Sequence, residues 1–260
     1  MQTHKREQAM QMLNKVPEVT LYFWIIKILA TTVGETVADF LNADLHFGLS
    51  GTSLAMGVLL AAFLLMQLRR RQYVPWLYWT NVVLISVVGT LFTDNLVDNF
   101  GVALETTTVV FGCALLATFG AWYASERTLS IHTIATRRRE LFYWAAILFT
   151  FALGTAAGDL AAEGLKLGYM NSVLMFAASI AIVGVAYYVI RANPVLTFWI
   201  AYILTRPLGA SLGDSLSQPA GNGGLGLGAT TTSAAFLATI LSLVLYLTVT
   251  RRDVIEERAR

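Results

Sequence analysis

Apolar residues fall into eight long runs, arranged as four successive pairs. The first members are Val19–Leu41, Leu77–Leu96, Phe142–Leu160 and Val195–Leu212; the second are Thr52–Leu68, Thr106–Tyr123, Ser172–Ile190 and Thr230–Thr250. Most approach the ~20 residues that a helix needs to cross the hydrocarbon of a bilayer. Strict alternation of apolar and polar residues is absent, which argues against a closed barrel of strands. Helices then satisfy every backbone N–H and C=O within lipid. The pattern predicts an all-α polytopic membrane protein of about eight transmembrane helices.

An internal repeat runs through these pairs. A Trp is followed ten residues later by a Gly and five residues after that by an Asp, four times: Trp24, Gly34, Asp39; Trp79, Gly89, Asp94; Trp144, Gly154, Asp159; Trp199, Gly209, Asp214. Successive copies are offset by 55, 65 and 55 residues. A fixed period of this size marks tandem structural units. Residues 1–260 form one membrane domain, with repeats at approximately 16–72, 73–125, 138–192 and 193–250. The ten extra residues between copies two and three fall in Ser125–Glu140, and 126–137 reads as a cytoplasmic linker between two halves. Each copy holds an even number of helices, so all four insert in parallel about an approximate axis along the membrane normal, unlike inverted repeats.

Composition agrees with this class: 56% of residues are hydrophobic, 13% are charged and mean hydropathy is +0.63. A soluble domain carries roughly 25% charged residues. The placement of charge says more than the net +2. Lys5, Arg6, Lys15, Arg69–Arg71, Arg127, Arg137–Arg139, Arg191, Arg251, Arg252, Arg258 and Arg260 lie on one side. The opposite loops hold Asp44, Asp98, Glu105 and Glu163 with the single base Lys166. The positive-inside rule then puts both termini in the cytoplasm and four hairpins outside. Cys113 lies alone in an apolar run, which excludes a disulfide framework. The charged segment Met1–Lys15 lacks an apolar core, so no cleavable signal is expected.

Candidate chemistry lies within the spans. A carboxylate at membrane depth is costly and normally faces a bundle interior or watery cavity. Asp39, Asp94, Asp159 and Asp214, together with Glu35, are therefore the candidate cation, metal or proton sites, because clustered carboxylate oxygens suit hard cations. The competing reading makes each Asp a cap for its own hairpin. Three residues after the Trp the copies carry Lys27, Val82, Ile147 and Tyr202; one after the Gly they carry Glu35, Thr90, Thr155 and Ala210. Lys27, Thr31, Glu35 and Asp39 recur at four-residue spacing along one helix face. Lys27 and Arg206 are the expected counter-charges, and Thr31, Thr90 and Thr155 the polar lining.

Other features have structural expectations. The repeat Trp residues are read as interfacial anchors, the Gly residues as points of close helix approach, and Arg206-Pro207 as a break or kink in the seventh helix. The loop Gly221–Gly228 lacks the Lys-Ser/Thr ending of a phosphate cradle. His132 and Glu126 in the linker, and His46 near Asp44, are weak ligand candidates. Catalytic triads, zinc-type His-Glu-x-x-His helices and dinucleotide fingerprints do not occur, so the protein is expected not to be an enzyme and to use no cofactor.

KVPEVTLYFWIIKILATTVGETVADFL (Lys15–Leu41), YVPWLYW (Tyr73–Trp79), ERTLSIHTI (Glu126–Ile134) and RRRELFYWAAILFTFALGTAAGDL (Arg137–Leu160) resemble a bacterial family of membrane-anchored proteins defined by a tandem repeat of unknown function. The resemblance covers nearly the whole chain and implies a multi-pass inner-membrane location, with no mechanism to carry over. Copy four departs most, through Arg206-Pro207 and its longer Gly-rich hairpin. The function expected from the residues is transport or export of an inorganic cation, such as manganese, with protons as a further partner and no nucleic acid. The alternatives are a non-transporting scaffold or stress-response protein, and an intramembrane enzyme acting on lipid or quinone.

Overall fold

A computed structural model describes residues 14–44 and 48–254. Eight α-helices account for most of it: α1 Leu21–Asp39, α2 Leu49–Arg69, α3 Pro75–Asp94, α4 Leu104–Glu126, α5 Arg137–Asp159, α6 Tyr169–Tyr188, α7 Pro194–Ser217 and α8 Ala229–Thr250. All eight are long and apolar enough to cross a membrane. The protein is a multi-pass helical membrane protein.

The two helices of each copy have different environments. Half or more of the apolar span in α1, α3, α5 and α7 is buried, against at most 28% in α2, α4, α6 and α8. The odd helices form a closed inner ring in which α1 packs on α3, α3 on α5, α5 on α7 and α7 on α1. Each even helix packs mainly against the first helix of the next copy: α2 on α3, α4 on α5, α6 on α7, and α8 back on α1. Every copy thus covers its neighbour rather than itself, and α8 closes the circle.

The repeat glycines make the ring possible. A Cβ at Gly34 would fall within 3 Å of Ser86, at Gly89 within 3 Å of the Phe151 side chain, at Gly154 within 3 Å of Arg206 and at Gly209 within 3 Å of Thr31. These partners share one repeat position, seven residues after the Trp, always in the next copy. Only a residue without a side chain lets the neighbouring backbone come this close.

The Trp residues are not interfacial anchors. Trp79, Trp144 and Trp199 are buried and Trp24 is half-buried. The aromatic residue before each Trp packs on a neighbouring copy's Trp: Phe23 on Trp79 at 5.7 Å, Tyr78 on Trp144 at 5.5 Å, Tyr143 on Trp199 at 6.3 Å and Phe198 on Trp24 at 5.7 Å between ring centroids. Tilted aromatic pairs contribute about 0.5–1.5 kcal/mol each beyond the area they bury. The girdle sits toward the end where α1 begins and α8 ends.

At that end the segment before α1 folds over the bundle. Lys15 N–H donates to the Ile134 carbonyl at 3.0 Å, and its Nζ meets Glu140 Oε2 at 2.5 Å. The segment 127–136 is a packed connector with one short 3₁₀ turn, Ile131–Thr133, and buried Ile131 and Ile134. Of the break or kink expected at Pro207, the break does not occur: α7 continues through it. The proline ring lies against Gly154 of α5, so packing from the neighbouring helix holds the segment helical.

Candidate functional site

Three of the first helices do not stop at their repeat Asp. They widen into a π-helical turn at Phe40–Asp44, Asn95–Asn99 and Leu160–Gly164. Asp94 and Asp159 make no side-chain cap at these turns, and Asp214 lies inside α7. For these three the hairpin-cap reading fails. A π-turn inserted into an α-helix shifts the register of the residues beyond it and is frequent at functional sites.

Glu35, Asp159 and Asp214 come together, each offering a carboxylate oxygen within 4.8 Å of the others. They reach this point from α1, α5 and α7, three sides of the inner ring. Glu35 and Asp214 are buried, Asp159 half-buried. Asp94, from α3, lies in the electrostatic field of Glu35, Asp159 and Asp39. Asp39 is half-buried and electrostatically linked to Asp159 and Asp214 as well. The inner helices therefore direct acids toward one region, with Glu35, Asp159 and Asp214 as its tight core.

Arg206 closes this region on the side where α1 begins and α8 ends. Its side chain is fully buried. Nη2 donates to Glu35 Oε2 at 3.1 Å, to Thr155 Oγ1 at 2.7 Å and to Thr90 Oγ1; Nη1 donates to the Thr31 carbonyl at 2.7 Å and Nε to the Phe151 carbonyl at 3.3 Å. Thr90 Oγ1 in turn donates to Glu35 Oε2 at 3.2 Å. The planar fork thus ties α7 to α1, α3 and α5 at once, a task for which guanidinium geometry is suited. Thr90 and Thr155 serve through their hydroxyls, whereas Thr31 contributes its carbonyl and turns its hydroxyl to the Ile28 and Thr205 carbonyls.

Lys27 does not act as a counter-charge in contact with an acid. Its Nζ donates to Thr205 Oγ1 at 2.9 Å and stands 4.1 Å from the Tyr202 ring centroid and 4.6 Å from that of Phe151. Two helical turns, about 12 Å of rise, separate it from Glu35 along α1, and Arg206 has taken the Glu35 carboxylate. Among the described residues the counter-charge contact is Arg206 with Glu35.

The remaining candidates are peripheral. Glu126 binds Arg139 at 2.8 Å and Arg138 at 3.8 Å, a brace between α4 and α5, and His132 is exposed. His46 and the side chain of Asp44 lie outside the described residues. Past α8, Tyr73 Oη donates to Asp253 Oδ2 at 2.5 Å. Burial raises the Asp253 carboxyl above its usual range, with the Tyr73 hydrogen bond pulling the other way; burial and the neighbouring Asp253 raise the Tyr73 phenol.

The family model described as a Repeat of Unknown Function (DUF347) matches residues 22–73, 77–128, 142–193 and 197–253. The chain belongs to this family. Each match of the DUF347 repeat begins within the first turn or so of a copy's first helix and takes in its second helix, so one repeat unit supplies one inner and one outer wall. No curated protein and no solved structure matches the chain.

Ser86, Phe151 and Thr205 are site residues that the sequence reasoning did not single out. Ser86 and Phe151 share the position of Thr31 and Arg206, so aligning the copies seven residues after the Trp would have found them. Nothing local marks Thr205.

Proposed function

We propose that the protein is a membrane transporter of an inorganic cation, of the divalent class to which manganese belongs, and not an enzyme. The observation that carries this reading is the convergence of Glu35, Asp159 and Asp214 from three inner helices within 4.8 Å. Hard oxygen donors at this spacing suit a divalent ion better than a soft metal. Arg206 neutralises one carboxylate and leaves an acidic excess that a cation relieves. The Lys and Arg bias supports placing both termini, and hence the aromatic girdle, on the cytoplasmic side. The repeat family is in keeping with this reading and names no substrate.

Purified protein in liposomes, given Mn²⁺ alone, provides the test. Asp159→Asn and Asp214→Asn each remove one ligand charge without disturbing the Arg206–Glu35 contact. Flux falling by about 10-fold or more in both, with unchanged folding, supports the reading. Equal flux in parent and both variants removes these residues from any cation path.

The buried Arg206 hub also favours a second reading, a rigid scaffold. On that reading the same substitutions alter thermal stability, and the parent protein moves no metal.

A further inference from the structure

Lys27 is left over from the carboxylate site. The side chain is 1% exposed, and its nitrogen meets two ring faces and one hydroxyl but no carboxylate among the described residues. Facing it from α7 are Tyr202, Thr205 and the Arg206 guanidinium, and from α5 Phe151. Helix α8 contains no charged residue, and α3 has none before Asp94. Its own helix carries Glu35 two turns on, already held by Arg206. An ammonium is attracted to aromatic faces. Unlike a guanidinium, it can also give up its proton when buried.

The phenols Tyr202, Tyr143, Tyr78 and Tyr73 belong to one aromatic cluster beside Lys27, whose nitrogen faces the Tyr202 ring rather than its hydroxyl. Tyr202 Oη is buried with no hydrogen-bond partner among the described residues. Tyr143 and Tyr78, in the same aromatic cluster, join hydroxyls at 2.5 Å. The Tyr73 ring lies 5.7 Å from that of Tyr78, and its hydroxyl reaches Asp253 Oδ2. Asp253 Oδ1 is buried and has no partner among the described residues. At the position of Tyr78 and Tyr143 the other two copies carry Phe23 and Phe198, so an apolar core does not need the hydroxyls there. Phenols add exchangeable protons and, at Tyr202, a hydroxyl whose link is open.

We propose that Lys27 carries the proton exchanged against the cation, and that Tyr202, Tyr143, Tyr78 and Tyr73 pass it to and from Asp253. This rests on the cation reading of the carboxylate site. The amine nitrogen keeps its electron pair when the proton leaves. Each phenol accepts one proton on oxygen and releases its own, so one proton arrives at the Asp253 carboxylate for each one lost by Lys27. A divalent ion among Glu35, Asp159 and Asp214 repels the ammonium through Arg206, which couples its arrival to proton release.

Two liposome assays separate this from the underlying reading. Exchange of Mn²⁺ at equal concentrations on both sides needs no net proton movement, whereas uptake driven by a pH gradient does. For Lys27→Met and for Lys27→Gln, we expect exchange within about twofold of the parent and gradient-driven uptake reduced by about 10-fold. Tyr143→Phe reduces gradient-driven uptake by about threefold and leaves exchange intact. Gradient-driven uptake at the parent rate in both Lys27 variants overturns the proposal. Loss of exchange together with uptake, in a variant that melts like the parent, also overturns it by placing Lys27 in cation binding. Should Lys27→Met fail to fold, Lys27→Gln decides alone. A parent protein that exchanges no Mn²⁺ refutes the cation reading itself, and the proton assignment with it.

Discussion

Replacing Arg206 with Met removes a side chain that bonds all the other inner helices. Its five hydrogen bonds vanish together, and Glu35 is left buried without its base. Interhelical polar contacts within membranes contribute about 0.6 kcal/mol each on average, so five amount to roughly 3 kcal/mol. Breaking a buried ion pair by deleting one partner costs roughly 3–5 kcal/mol, because the remaining charge is uncompensated. The two estimates overlap, and the expected loss is about 3–5 kcal/mol. Adding Glu35→Gln removes the stranded carboxylate, so the double variant should regain about 1–3 kcal/mol relative to the sum of the singles. Denaturant titration in detergent micelles, monitored by Trp fluorescence, measures all four corners of the cycle. An Arg206→Met variant within about 0.5 kcal/mol of the parent, or a cycle that is additive, would refute the view that this contact holds the ring together.

Three further outcomes are expected. Gly154→Ala puts a Cβ within 3 Å of the Arg206 Cβ and Cγ atoms, and this overpacking should cost about 1–3 kcal/mol. Gly57→Ala on the exposed α2, where nothing lies within 4 Å, should instead stabilise by about 0.5–1 kcal/mol; melting curves of the pair check both signs. Trp144→Ala should destabilise by about 3–5 kcal/mol as a buried ring rather than by the small amount expected of a headgroup anchor, again read from melting.

The eight spans and four copies are legible in the sequence because the bilayer imposes them: length and apolarity are set by the solvent, and the Trp, Gly and Asp spacing repeats without gaps. Part of the site is legible for the same reason. Charged residues in hydrocarbon need a cause, so Glu35, Arg206 and the repeat Asp residues stand out in any reading. Pairing is not legible, because it depends on which helices are neighbours. Lys27 and Glu35 share a helix face, and sequence proximity favours them as partners. The ring order brings α7 beside α1, however, and Arg206 reaches Glu35 first. The Trp residues mislead because position near a helix end does not distinguish a headgroup anchor from a girdle buried between copies. The π-turns after Asp39, Asp94 and Asp159 leave no mark in composition.

Asp253 confers a pH dependence on stability, and its sign is fixed by burial. The carboxyl's affinity for a proton is higher in the folded protein than its ordinary value of 3.8 because desolvation outweighs the Tyr73 hydrogen bond. A raised carboxyl favours the fold most when protonated. Its contribution is therefore complete below pH about 4 and is lost as pH rises through the folded value. Asp253→Asn keeps the shape and cannot ionise, so its melting temperature should be flatter across that window, with the gain over the parent appearing on the alkaline side. Tyr73→Phe removes the hydrogen bond that opposes desolvation. It should push the carboxyl higher still and move the parent's loss of stability to higher pH. The two variants act in different ways on one contact, one abolishing the transition and the other displacing it. Parallel melting profiles for parent and Asp253→Asn across this range would mean that the carboxyl is not desolvated at the end of α8, and the closure of the bundle by Tyr73 and the segment before α1 would have to be redrawn.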